Sequence, residues 1–236
     1  IVVSAWPEVW VKNKDIARFY RIGTTPYFYQ DVIKGKDVKL FAQDPYRQTN
    51  HITKKTHLIE TWCEMVGVKY DGEQPVLNFN FREIEEARAY MNDFSDGKKQ
   101  MMVFQPFGGP GKDHQQHPYS WTRDIHPIQA QEIVNSLALK DKYNIVHICY
   151  EFHPKLDNCH RFERTIGKKP LFAMIAHADK RLFIDSSLQH AAVPLKLPSV
   201  VVWVNTQPNI FGYDMHTNII PNVKRDEGTI DSYFYD

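Results

Sequence analysis

Strand-like and helix-like segments in alternation predict an α/β fold built on a parallel sheet. Three observations carry this. First, from residue 101 onward short apolar or β-branched runs (101–105, 143–150, 181–184 and 199–204) alternate with helix-like stretches (128–139, 169–178 and 187–195). Second, the strand-like runs are nearly continuous in apolar character, as strands covered on both faces must be. Third, the polar cluster Ser95-Asp96-Gly97-Lys98-Lys99 reads as a turn and divides this region from a less regular first part. The sequence therefore divides into 1–97 and 98–236.

In the first part, Ile1 to Ser4 reads as a short buried strand, ended by a turn at Trp6-Pro7. Val9 to Phe19 is expected to form a short helix, and Asp31 to Phe41 a strand or loop. Between Thr56 and Val66, the residues Leu58, Ile59, Trp62, Met65 and Val66 form a helical stripe, with Gly67 as its stop. Pro75 to Phe81 looks extended. Glu83 to Phe94 follows as a helix with Glu83, Glu85, Glu86 and Arg88 on its wet side. The series begins at Ile1 in what reads as the middle of a βα succession, so a preceding segment is expected.

Composition narrows the function classes. With 29 basic and 28 acidic residues the net charge is +1, which gives no electrostatic reason to expect nucleic acid as a partner. No apolar run approaches the roughly 18 residues that cross a bilayer. The three cysteines, Cys63, Cys149 and Cys159, form neither a disulfide framework nor a CxxC pair, and the expected setting is cytoplasmic.

Ligands of open α/β sheets bind beyond the carboxyl ends of the strands, which points to three loops. The first, Gln105 to Arg123, contains Gly108 and Gly109, whose amides can approach a phosphate, and the cations Lys112 and Arg123, either of which can neutralise one. It matches neither GxGxxG nor the Walker pattern. In the second, a strand ends at Ile184, and Asp185 and Ser186 are placed to cap the next helix, whose free amides form an anion site. His190 follows Ser186 by one helical turn and is expected to face the same ligand. The third loop, after Val204, offers Tyr213, His216 and Asn218 to a sugar or base. On composition alone each of the three also fits an ordinary loop, plain cap or core histidine.

The run Ile-Asp185-Ser186-Ser187-Leu-Gln189-His190-Ala-Ala, followed by Leu-Pro-Ser-Val-Val-Val-Trp203, resembles a pattern of glycosyltransferase family nine, the ADP-heptose:lipopolysaccharide heptosyltransferase type. The stretch from Met102 to Thr122 is similar to that family's strand, loop and helix-opening tryptophan, with Trp121 in the tryptophan's place. The segment from Thr56 to Gly67 is similar to the helix that ends its N-terminal domain. The resemblance spans roughly residues 1–219. It implies a GT-B fold of two Rossmann-like domains, the N-terminal one incomplete. It also implies transfer of a sugar, such as a heptose, from a nucleotide-sugar to a hydroxyl of a glycan or lipopolysaccharide-type acceptor.

By the same resemblance the donor site comprises Gly108, Gly109, Lys112, Trp121, Thr122, Arg123, Asp185, Ser186, Ser187, Gln189 and His190. The nucleotide-sugar is a substrate, and no cofactor is expected. The family's phosphate-binding lysine lies two residues before the tryptophan, where this chain has Tyr119. Its catalytic base is an Asp in a Gly-Asp loop after the first strand of the N-terminal domain, and no such loop precedes Ile1, so no catalytic residue is assigned.

No DxD motif is present, and neither the His114/His117 spacing nor His153 and His160 brings enough ligands for zinc, so no metal is expected. Ser186 and Ser187 stand outside any G-x-S-x-G elbow. The expected partners are a nucleotide-sugar donor and a glycan or lipid-linked acceptor, the latter compatible with peripheral contact at a membrane. The alternative is a non-catalytic sugar-binding or interaction protein on the same fold.

Overall fold

A computed structural model describes residues 1–41, 44–109, 123–163 and 166–222. In the first part, β1 (Val2–Ser4) and β2 (Phe19–Arg21) pair in parallel, with Val3 opposite Tyr20. The helix expected over 9–19 is not formed. Pro7 opens a single 3-10 turn at Pro7–Trp10, and Lys12 takes a positive φ of 65° that ends any helical continuation. The segment expected as strand or loop over 31–41 instead begins within a π-type turn at Tyr29–Ile33 and ends as loop.

Two short helices follow, α1 (Thr49–Ile52) and α2 (Leu58–Val66). The stop read at Gly67 is present. Gly67 has φ +75°, its amide reaches Glu64 O at 3.0 Å, and Val68 N reaches Cys63 O at 2.9 Å, closing the last turn. Helix α3 (Phe81–Asp93) starts two residues earlier than its charge pattern suggests, because Asn80 and Glu83 form a reciprocal capping box. Asn80 N donates to Glu83 Oε2 at 2.7 Å, and Glu83 N to Asn80 Oδ1 at 2.9 Å.

The second part is a six-stranded parallel sheet. In chain order it comprises β3 (Gln100–Phe104), α4 (Pro127–Ala138), β4 (Tyr143–Cys149), β5 (His160–Glu163), α5 (Lys168–Met174), β6 (Lys180–Ile184), α6 (Ser187–Ala192), β7 (Val200–Val202), α7 (Pro208–Phe211) and β8 (Thr217–Ile219). The strands lie in the order β5-β4-β3-β6-β7-β8. Counted from β3 this is the doubly wound order 3-2-1-4-5-6, and the direction of winding reverses between β3 and β6. A crevice at the carboxyl ends of those two strands follows from the topology alone.

Both faces of the sheet are packed. Alternate side chains, Met101 and Val103 on β3, Val146 and Ile148 on β4, and Phe183 on β6, join one core with Ala87 and Met91 of α3 and Leu171, Ala173 and Met174 of α5. Their neighbours Phe104, Ile145 and Ile184 point to the other face and meet Ala130 and Val134 of α4. A period of two with both sides buried accounts for the continuous apolar runs.

Helix α3 lies before the division drawn at residue 97, yet it packs into the core of the sheet. Lys169, 1% exposed, ties it to α5 by placing Nζ 3.1 Å from Glu83 Oε2 and 5.8 Å from the Phe79 ring centre. A third cluster, Leu58, Val201, Trp203, Ile210 and Phe211 with Tyr46 against it, joins α2 to the β7 side of the sheet.

Candidate functional site

The crevice at the β3–β6 reversal is built from the residues that follow each strand. Gln105, directly after β3, is fully buried. Its Oε1 accepts from Ser186 Oγ at 3.0 Å, while its Nε2 meets no acceptor among the described residues. That bond bridges the two strand ends across the switch point. It also corrects the capping expectation: Ser186 occupies the position before α6, but its hydroxyl is committed to Gln105 and caps nothing. The first amides of α6 are left without a capping side chain, and Ser187 beside them is exposed. Helix α6 has only six residues, shorter than the expected 187–195, so its dipole is small.

Asp185 is buried at 3% exposure, and among the described residues its Oδ2 finds no donor at bonding geometry. Burial pushes its acid form up to about 6, opposed by Thr206, the Arg123 charge and Gln189. His190 Nε2 stands 3.7 Å from Asp185 Oδ1, so the turn spacing read from the sequence does bring His190 to the head of the loop. Burial, followed by the charges of His57 and His216, drives the His190 imidazole down to about 4, and the ring is neutral at physiological pH.

On the β3 side, Gly108 and Arg123 come together. A Cβ on Gly108 would lie 3.2 Å from Asp124 Oδ1 and 3.7 Å from the Arg123 guanidinium, a tight fit that Asp124 would have to yield to. The Gly108 amide is not free for a phosphate as the sequence suggested: it donates to Asp124 Oδ1 at 2.8 Å. Gly109 borders open space. Arg123 acts on Asp185 and on Tyr46, which places its charge at the switch point. Lys112, Trp121 and Thr122 lie outside the described residues, as do His114, His117 and Tyr119.

Three other expectations are resolved differently. Gln189 is turned inward and fully buried; its Nε2 donates to Phe211 O at 2.9 Å and anchors α6 to α7. His216 is a structural histidine: Ser199 N donates to its Nδ1 at 3.2 Å, so Nε2 carries the proton and donates to Gln189 O at 3.1 Å. Asn218 is likewise spent internally, accepting from Trp203 Nε1 at 2.8 Å. Of the three residues read from that loop, Tyr213 alone reaches the site, its hydroxyl 3.0 Å from His190 Nδ1.

Four residues at this end were not singled out from the sequence. Tyr46 packs against the α2–β7 cluster, feels both Asp185 and Arg123, and its phenol is raised chiefly by burial. His57 sits 5.2 Å from the Tyr213 ring centre. Thr206 and Gln105 line the buried base of the crevice. Gln105 alone carried a signal, as the polar residue that ends an apolar strand. The others reach the site through loops whose paths are set by packing. Beyond Tyr213 a cavity of about 820 Å³ opens, lined by His57, Tyr70, Gln74, Asn209, Tyr213 and Asp214 among others. Among the described residues no cluster of His, Cys, Asp or Glu is arranged to hold a metal.

No family model and no curated protein sequence matches this chain. Solved structures do. The ADP-heptose lipopolysaccharide heptosyltransferase II of E. coli superposes with a TM-score of 0.51 at 16% identity, covering 70% of this chain and 54% of that one. A glycosyl transferase family 9 protein from Veillonella parvula DSM 2008 superposes with a TM-score of 0.52 at 12% identity, covering 88% and 53%. The chain spans about half the length of each. The fold is thus an α/β architecture similar to these glycosyltransferases, of GT-B type: one complete doubly wound sheet, and a first part holding a two-stranded parallel pair among its described residues.

Proposed function

We propose that this chain is the nucleotide-sugar-binding half of a metal-independent glycosyltransferase, with residues 98–236 as the donor domain and residues 1–97 as part of the acceptor side. One observation carries the reading: Ser186 bonds Gln105 across the reversal point of a parallel doubly wound sheet, with Asp185 and His190 beside it and the Arg123 charge acting on Asp185. That is where such sheets bind nucleotides. The similarity to two glycosyltransferase structures supports the same assignment.

The chemistry follows from the leaving group. Breaking the bond between sugar and diphosphate leaves negative charge on the phosphate oxygens, which must be met by donors already in place. The uncapped amides at the start of α6, the Ser187 hydroxyl and the Arg123 guanidinium supply them. His190, neutral and partly exposed, offers a ring N–H. Lys112, Trp121 and Thr122 are proposed to complete the donor site from the intervening loop. The nucleotide-sugar is itself the substrate, and no cofactor takes part.

By analogy with the E. coli relative the donor is an ADP-sugar such as a heptose, and the acceptor a hydroxyl of a glycan or lipopolysaccharide-type molecule. The 820 Å³ cavity beside Tyr213 is offered as the place where a sugar ring is held, since aromatic faces and amide groups are what a saccharide needs. Among the described residues no helix is long and apolar enough to cross a membrane. Action in the cytoplasm, with peripheral contact to a membrane-borne acceptor, is part of the proposal.

The test is calorimetric titration with ADP, with and without EDTA. Binding should persist under chelation and vanish when Ser186 and Ser187 are both replaced by Leu, with the circular dichroism spectrum unchanged. Binding that is lost in EDTA and restored by Mg²⁺ would overturn the metal-independent reading. Unchanged affinity in the double variant would remove the donor site from this crevice.

A further inference from the structure

We propose that Tyr213 is a positioning residue: its hydroxyl donates to His190 Nδ1 and holds the imidazole in the tautomer whose proton sits on Nε2, facing Asp185 and the mouth of the crevice. The significance for ligand binding rests on the donor-site reading above; the tautomer itself does not.

Three imidazoles surround the Tyr213 ring, with centroids 5.2 Å (His57), 5.6 Å (His190) and 5.9 Å (His216) away, each edge-on. Two of them are fixed by backbone. Ile59 N donates to His57 Nδ1 at 3.2 Å, and His57 Nε2 reaches Gly212 O at 2.9 Å. Ser199 N and Gln189 O grip His216 in the same sense. Both are therefore neutral rings protonated on Nε2, since a backbone N–H can only donate and a carbonyl can only accept.

His190 has no backbone partner of this kind. Its Nδ1 meets the Tyr213 hydroxyl at 3.0 Å, and its Nε2 points toward Asp185 Oδ1 at 3.7 Å. The Gln189 amide nitrogen, which can only donate, lies 3.3 Å from Nδ1 and 3.1 Å from Nε2, so it serves whichever nitrogen is bare. The choice falls to Tyr213 and Asp185. A proton on Nδ1 would leave the Nε2 lone pair facing a carboxyl oxygen. A proton on Nε2 faces that oxygen favourably and leaves Nδ1 free to accept from the phenol.

Burial, with Tyr70 and Asp185 nearby, pushes the Tyr213 phenol up to about 12, so it remains a donor across the working range. Burial above all opposes protonating His190 fully and holds the imidazole down to about 4. The outcome is a neutral ring with a directed donor, fixed by one side-chain hydroxyl. On the donor-site reading, a phosphate oxygen that reached His190 Nε2 from the crevice would meet an N–H already held in place.

The test is a long-range ¹H–¹⁵N correlation on ligand-free, histidine-labelled protein at pH 7.5, paired with ADP titration. In the native chain all three rings should show a bare Nδ1 and a protonated Nε2. In Tyr213→Phe only His190 should move toward mixed tautomers, while His57 and His216, fixed by backbone, report that the fold is intact. ADP affinity should fall about 3- to 10-fold, the range of one lost hydrogen bond. A native His190 protonated on Nδ1 or on both nitrogens would overturn the proposal, as would a Tyr213→Phe spectrum in which His190 does not change. If the tautomer shifts as expected but ADP binds neither native protein nor variant, the positioning role stands and the donor-site reading fails.

Discussion

Replacing Asp185 by Asn tests the electrostatics of the crevice most directly. Asp185 is 3% exposed, and burial raises its acid form from the ordinary 3.8 to about 6. A displacement of about 2 pH units, at 1.36 kcal/mol each, means that ionising this group costs the folded state about 3 kcal/mol at neutral pH. The sign is that of a carboxyl raised on folding. Between pH 4 and 6 the folded chain keeps a proton the unfolded chain has released. The contribution is therefore most favourable below about pH 4, declines as pH rises through about 6, and is flat beyond.

Asn carries no such penalty. Asp185→Asn should be more stable than the native protein by up to about 3 kcal/mol at pH 7.5, shrinking to about 1 kcal/mol at pH 4.5. Urea unfolding at the two pH values, followed by tryptophan fluorescence, measures both differences. A variant no more stable at pH 7.5, or a gap that does not change with pH, would refute the reasoning. A carboxylate kept at such a cost marks a position retained for something other than stability.

Two further outcomes are expected. His190→Ala should weaken ADP binding by about 1.5–3 kcal/mol, the range for hydrogen bonds to charged groups, and His190→Gln should recover part of it because an amide N–H replaces the ring donor; equal affinity in calorimetry for all three proteins would make His190 purely structural. Lys169→Ala should destabilise the fold by about 3–5 kcal/mol, because Glu83 loses its buried partner. The paired change of Lys169→Met with Glu83→Gln should restore most of that loss, as read by the midpoint of thermal unfolding.

Much of this architecture was legible in the chain. Where both faces of a strand are buried, its sequence must be apolar throughout, and β3, β4, β6 and β7 were visible for that reason. The stop at Gly67 was visible because a left-handed residue closes α2, and the polar turn at 95–99 because its Ser and Asp side chains bond local amides. The spacing of one helical turn between Ser186 and His190 was legible too, and the structure brings His190 back to the loop after β6, 3.7 Å from Asp185.

The remainder was decided by tertiary contact. The edge strands β5 and β8 read His-Arg-Phe-Glu and Thr-Asn-Ile, with no apolar alternation to reveal them. They are strands because a neighbour supplies their hydrogen bonds: Ile148 stands opposite Phe162, and Val201 opposite Asn218. The expected helix over 9–19 failed because a short segment with mixed spacing gains no helix without a surface to bury it on. Within the site, sequence gave no means to tell which polar groups face the crevice. Ser186 spends its hydroxyl on Gln105, Gly108 its amide on Asp124, and Gln189 and His216 hold the backbone, while Tyr213 arrives from a loop 23 residues beyond His190. A residue's type fixes how many hydrogen bonds it can make. Only the packed chain fixes which of them are already satisfied, and those left over are what a ligand meets.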